Sequence, residues 1–327
     1  MIVASPATTP PANRVPVGIV AKIKVPATSA NLGPGFDSAG VAVALFDELE
    51  IRTTEAGFSA TVEGEGHNYL PTDARHLIIT QIRARLEQLG WHLPGLELHA
   101  INRIPHSRGL GSSAAAHIAA ALAVKALLPQ HCDITNEDLL QWASEAEGHP
   151  DNVAPAVYGG LTFSWSESDN DGVKYYRSLQ LTAHKAVTPV VAIPSKPLST
   201  AAARTLLPAS VPYTEAVANA SRAALLAPAM TTNPELLLAA TEDWLHQKYR
   251  QPSMPETLAH IAALRDQGHA AVVSGAGPTL CVFAADSAEA NVVADKLTQR
   301  AAKSEQHWDV RILPVAAQGA TMEVFRP

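Results

Sequence analysis

Gly109-Leu110-Gly111-Ser112-Ser113 stands at the head of an alanine-rich run that ends at Pro129. The two glycines let a backbone approach a ligand closely. The serine hydroxyls can take a phosphate oxygen or a cation carried by phosphate. If the run is a helix, its first N–H groups lack partners and its dipole favours negative charge there. The chemistry on offer is anion binding, of a phosphate above all. A plain serine N-cap would look the same in isolation, so the rest of the chain has to decide.

Two well-known glycine loops do not fit. The dinucleotide fingerprint needs a strand, a tight turn, a helix and an acid at a second strand end about 20 residues on. Asp133 lies in "HCDITNED", which follows the alanine-rich run and ends no strand. A Pro-containing loop also separates "LELHAIN" from Gly109. The Walker A string, which needs Gly-Lys before Ser or Thr, does not occur.

The elements that must position this loop are legible from periodicity. "GIVAKIKVPA" and "VAVALFDELEIRTTEA" alternate as strands around the Gly/Pro-dense loop "NLGPGFDSAG". "HLIITQIRARLEQLG" reads as a helix stopped by Gly90, and "LELHAINRIP" as a strand ended by Pro105. Ser112 to Leu128 is the clearest helix. "TNEDLLQWASEAEG" is a second, with Thr135 and Asp138 at its head and Gly148 at its end. "LTFSWSES" and "VKYYRSLQL" form a hairpin around "DNDG". Further on, "PVVAIP" is a buried strand, several helices follow, and "AAVVSGAGPTLCVFAA" is two apolar runs around a glycine turn. The mixture lacks strict βαβ alternation, so an α+β class is expected over a doubly wound sheet.

With 327 residues, the chain predicts two domains at roughly 150 residues each. The expected division is a tail over 1–16, a first domain over 17–170 and a second over 171–327. At 47% hydrophobic and 17% charged residues, it can bury a core. A net charge of -7 argues against nucleic acid as a partner. Two cysteines and no C-x-x-C pair argue against a disulfide framework or structural zinc, and for the cytoplasm. No apolar run reaches the length of a membrane span. A homodimer is left open.

Four more segments accompany the glycine loop: "VPATSANLGPGFDSAG", "ASEAEGHPDNVAPAVYGG", "PSKPLSTAAARTLLP" and "VVSGAGPTL". Together they resemble the GHMP kinases, small-molecule kinases acting on galactose, homoserine, mevalonate and phosphomevalonate. "PATSANLGPGFD" and "EGHPDNVAP" are similar to the homoserine kinase branch. The resemblance runs from about Val17 to the C-terminus, with the motifs in family order. It implies a first domain like ribosomal protein S5 domain 2, a ferredoxin-like second domain and a cleft between them.

The resemblance also implies roles. Pro105, His106, Ser107, Arg108, Gly109, Leu110, Gly111, Ser112, Ser113, Ala114 and Ala115 would wrap the phosphates of ATP. Ser113 and Glu145 would hold Mg²⁺, with Glu147 as the competing carboxylate. Asp37 would take the ammonium of L-homoserine, and Arg204 and Arg250 its carboxylate. Asn31, His149 and Asn152 would hold its hydroxyl end. Asp151, with His149 and Asn152, would form the catalytic group, Asp151 orienting the hydroxyl more than deprotonating it. Lys24 is the nearest basic residue in sequence. His76 stands where the branch shows Asn at the adenine pocket. The implied reaction makes O-phospho-L-homoserine, a step of threonine biosynthesis. Alternatives are a related kinase of a mevalonate-like acid or sugar alcohol, or a non-catalytic binding protein of the same fold.

Overall fold

The computed structural model describes residues 13–130 and 132–327. The first half runs β1 (Asn13–Arg14), β2 (Val20–Ala30), β3 (Ala39–Thr53), β4 (Gly57–Gly64), α1 (Leu77–Gln88), β5 (Trp91–His92), β6 (Gly95–Asn102), α2 (Ser112–Leu127), α3 (Asn136–Glu147), α4 (Val153–Tyr158), β7 (Leu161–Ser168) and β8 (Lys174–Leu181). The second half runs β9 (Thr188–Pro194), α5 (Thr200–Thr205), α6 (Tyr213–Thr231), α7 (Leu237–Ala240), α8 (Pro255–Arg265), β10 (Ala271–Val273), β11 (Leu280–Ala284), α9 (Ser287–Ala301), β12 (Trp308–Ile312) and β13 (Thr321–Phe325).

The first sheet has the order β13-β2-β3-β6-β4, with β7 joined to β3 and β8 to β7. Helix α2 packs against it and between α1 and α3. Its side chains from Ala114 to Leu127 are nearly all buried. That explains the composition: a helix enclosed on all sides is apolar all round, and alanine lets its neighbours come close. Helix α3 opens on the expected capping box, Thr135 with Asp138, and closes on left-handed Gly148.

The second sheet is antiparallel, in the order β10-β11-β9-β12. Numbered within its own domain that is 2-3-1-4, with helices after the first and third strands. This is the expected ferredoxin-like arrangement, and the α+β class holds.

The sheets divide the chain differently from the expected boundaries. A cut at 170/171 falls in the turn of the β7–β8 hairpin, and both its strands belong to the first sheet. The change of sheet comes after β8. The last strand, β13, then returns to pair with β2. Residues 1–12 of the expected tail lie outside the described residues. The remaining part of that tail is ordered: Asn13 and Arg14 pair with Trp91 and His92, and Val15 is buried.

Candidate active site

The glycine loop sits where the two domains meet. On its near side, the Thr28 amide donates to Leu110 O at 3.1 Å. On its far side, the Ser274 hydroxyl donates to Gly109 O at 2.6 Å, and the Gly275 amide donates to Ala30 O at 3.1 Å. The "SGAGPTL" turn therefore clamps the loop, as its glycines suggest. Gly111 caps α2 in a left-handed conformation, and a Cβ there would strike the Thr28 hydroxyl.

Two neighbouring recesses share Ser107, Ser112 and Ser113. The first, about 280 Å³, is also lined by Asp47, Tyr69, His76, His106 and Ala115. The second is lined by Asn31, Asp37, Gly109, Gly111, Ala114, Glu147, His149, Asp151, Asn152, Thr200, Arg204 and Arg250 among others. The N-terminus of α2 thus lies between a half-apolar slot and a charged one. A phosphate chain held there would join one to the other.

Most predicted residues converge on the charged recess. Asp151 is buried, and His149 Nδ1 donates to its Oδ1 at 2.6 Å. Burial alone would lower the His149 pKa, but the hydrogen bond and charge of Asp151 outweigh it and hold the pKa above its ordinary value. Asn152 donates to the same carboxylate at 3.3 Å and accepts from Thr28 at 2.9 Å. Asn31, in a left-handed conformation, donates to Gly275 O at 2.8 Å and accepts from the Asp37 amide at 3.0 Å. Arg250 is 2% exposed and donates to Gly275 O, while its Nε has no partner among the described residues. Burial and neighbouring Arg204 pull the Arg250 pKa down.

Asp37 and Arg204 are paired with each other, at 2.6 and 3.1 Å. Asp37, His149 and Asp151 bring ligand atoms within 4.8 Å of one another. Asp37 is clasped by Arg204 and Asp151 by His149, so both carboxylates already have hydrogen-bonding partners.

One predicted ligand is displaced. Glu145 faces Arg85 at 3.5 Å and accepts from Gln141 at 2.9 Å, half exposed, and it lines neither recess. Residues 145 and 147 are two apart on α3, and that spacing turns their side chains to different faces. Glu147 is the carboxylate in the cleft. Burial would raise its pKa, but hydrogen bonds from His117 and Ser113 hold it below the ordinary value. Its oxygens, beside the Ser113 hydroxyl, fit the all-oxygen preference of Mg²⁺. Three residues of the expected phosphate wrap, Pro105, Arg108 and Leu110, also line neither recess. Leu110 is buried, and Arg108 donates to His106 O and Ser195 O, tying the loop to the second domain. Lys24 lies over the Phe46 ring and near Glu48, outside the cleft. Thr28, which donates to Asn152, and Thr200, which lines the charged recess, sit inside the quoted motifs but are not singled out by them, since a lone Thr in a regular element reads as packing; His117 reaches the site only through Glu147.

His76 is buried in the first recess, and neither ring nitrogen has a partner among the described residues. Burial lowers its pKa, so the ring is neutral. Among the described residues no helix is long and apolar enough to cross a membrane.

The chain matches the family described as GHMP kinases N terminal domain over residues 76–160, and GHMP kinases C terminal over residues 216–303. It is 46% identical to homoserine kinase of Clavibacter michiganensis, covering 93% of this chain and 94% of that protein. It is 47% identical to homoserine kinase of Leifsonia xyli, over 92% and 91%. The crystal structure of homoserine kinase from Cytophaga hutchinsonii superposes with a TM-score of 0.81 at 27% identity, covering 93% of this chain and 97% of that one. With both domain matches in order and relatives this similar over nearly its whole length, the chain belongs to the GHMP kinase family, in its homoserine kinase branch.

Proposed function

We propose that the protein transfers the γ-phosphoryl group of ATP to the side-chain hydroxyl of L-homoserine. The observation that carries this reading is the continuity of the two recesses across Ser107, Ser112 and Ser113 at the start of α2. The nucleoside would fill the slot beside His76, whose neutral ring can bond the base. The α2 N-terminus would hold the β- and γ-phosphates. Ser113 and Glu147 would hold Mg²⁺, which when bound neutralises charge on the phosphates.

The charged recess suits a zwitterion. Arg250, with its unpartnered Nε, and Arg204 would take the carboxylate, and Asp37 the ammonium. His149 and Asn152 would align the hydroxyl. His149 donates to Asp151, and the carboxylate's hydrogen bond and charge raise its pKa, which favours the protonated ring as a donor over a base. Asp151 already accepts from His149 and Asn152, which fits an orienting role. Phosphoryl transfer through a loose transition state asks for alignment and charge neutralisation more than a strong base. Both cysteines are free, which suits the reducing cytoplasm as its place.

The test is ADP release with homoserine, mevalonate, threonine and galactose in turn. Homoserine should give the highest kcat/KM by a wide margin. A rate with another alcohol and none with homoserine would end this assignment.

A further inference from the structure

Helix α2 between Ser113 and Lys125 is apolar except at one position, His117. Burying an imidazole among alanines is costly unless its nitrogens are bonded. Both are. The Gln81 side chain on α1 meets Nδ1 at 2.7 Å. Nε2 lies 3.2 Å from Oε1 of Glu147, the last residue of α3. One polar chain therefore joins three helices and ends on the carboxylate of the cleft.

Glu147 needs such an anchor. The next residue is left-handed Gly148, so no further helical turn confines the side chain. Its other side-chain donor, the Ser113 hydroxyl, lies within the cleft and would itself turn to the cation. His117 approaches from behind. It lines the groove between α1, α2 and α3 with Gln81, Arg85 and Trp142, and does not line the charged recess.

We infer that His117 is a positioning residue for the cation-binding carboxylate: braced by Gln81, it holds Glu147 facing the phosphate site whether or not a cation is bound. This rests on the reading of Glu147 as the Mg²⁺ ligand. Hydrogen-bonding partners behind a metal ligand are commonly worth about 10–100-fold in metal affinity.

The experiment measures Mn²⁺ binding by electron paramagnetic resonance, with the full chain and adenylyl imidodiphosphate. The variants are His117→Leu, which removes the donor, His117→Gln, which keeps one, and Glu147→Gln. His117→Leu should weaken Mn²⁺ binding about tenfold. His117→Gln should stay within about threefold of wild type on the same scale. Nucleotide affinity without metal should not move. Wild-type Mn²⁺ affinity in His117→Leu alongside a loss in Glu147→Gln overturns the inference. So does an equal loss in both His117 variants. Wild-type affinity in Glu147→Gln overturns the ligand reading first, and the inference falls with it. If His117→Leu does not fold, Gln81→Met takes its place, and no loss of Mn²⁺ affinity there is the overturning result.

Discussion

Arg204 grips both carboxylate oxygens of Asp37, Nη2 to Oδ1 at 2.6 Å and Nη1 to Oδ2 at 3.1 Å. The two were expected to serve opposite ends of one substrate. Their pairing keeps each neutralised and oriented, and a zwitterion bound as proposed would replace that contact with its own two charges. Removing one partner should expose the other. Arg204→Ala should lower kcat/KM for homoserine about 10–100-fold, the scale of one or two charge-assisted hydrogen bonds. The KM for ATP should stay near wild type. An unchanged homoserine KM would take Arg204 out of the carboxylate clamp.

Glu145 and Glu147 separate cleanly by substitution. Glu145→Gln removes a half-exposed contact with Arg85, and surface pairs of this kind contribute little. Turnover should stay within about twofold. Glu147→Gln keeps the shape but loses the charge beside Ser113. Turnover should fall by about two orders of magnitude or more, as for other groups that stabilise transition-state charge. The reverse ranking, read from kcat at saturating Mg²⁺, would restore Glu145 to the site.

What the sequence could and could not disclose follows from the distance over which each feature is encoded. The capping box of α3 is a local pattern, Thr135 to Asp138, and was readable. So were the enclosed α2 and the β7–β8 hairpin. That β13 returns to pair with β2 was not readable, because β2 lies some three hundred residues earlier and five residues carry no record of so distant a partner. The residues of the charged recess come from motif resemblance. Their pairing does not, because Asp37 and Arg204 meet only through the domain arrangement. Glu145 was preferred over Glu147 because spacing alone cannot say which face of a helix meets a cleft.

Gly111 tests whether the loop tolerates a side chain. Its φ is 72°, and a Cβ would strike the Thr28 hydroxyl that donates to Asn152 at 2.9 Å. Gly111→Ala combines left-handed strain with a broken contact to Asn152. Stability should drop by about 1–3 kcal/mol, and the KM for ATP should rise with it. Urea unfolding and initial rates read the two separately. Wild-type values in both would mean that the backbone there moves freely, and the phosphate cradle is not preformed.

Asp47 makes a prediction in pH. It is buried at the wall of the first recess, and its Oδ1 accepts from the amides of Arg103 and Ile104 at 2.6 and 2.9 Å. Burial outweighs those bonds and pushes its pKa from 3.8 to about 6. The folded state therefore holds a proton between about pH 4 and 6 that the unfolded chain has released. Stability from this group is greatest below the unfolded value and is lost as pH rises through the folded one. Asparagine keeps the accepting oxygen and carries no charge to bury. Asp47→Asn should be more stable than wild type near neutral pH, by on the order of 2–3 kcal/mol. That advantage should vanish below about pH 4, where the wild-type carboxyl is protonated in both states. Urea unfolding at the two pH values decides. An equal difference at both would mean that Asp47 is ionised without penalty, with its second oxygen solvated from the cleft.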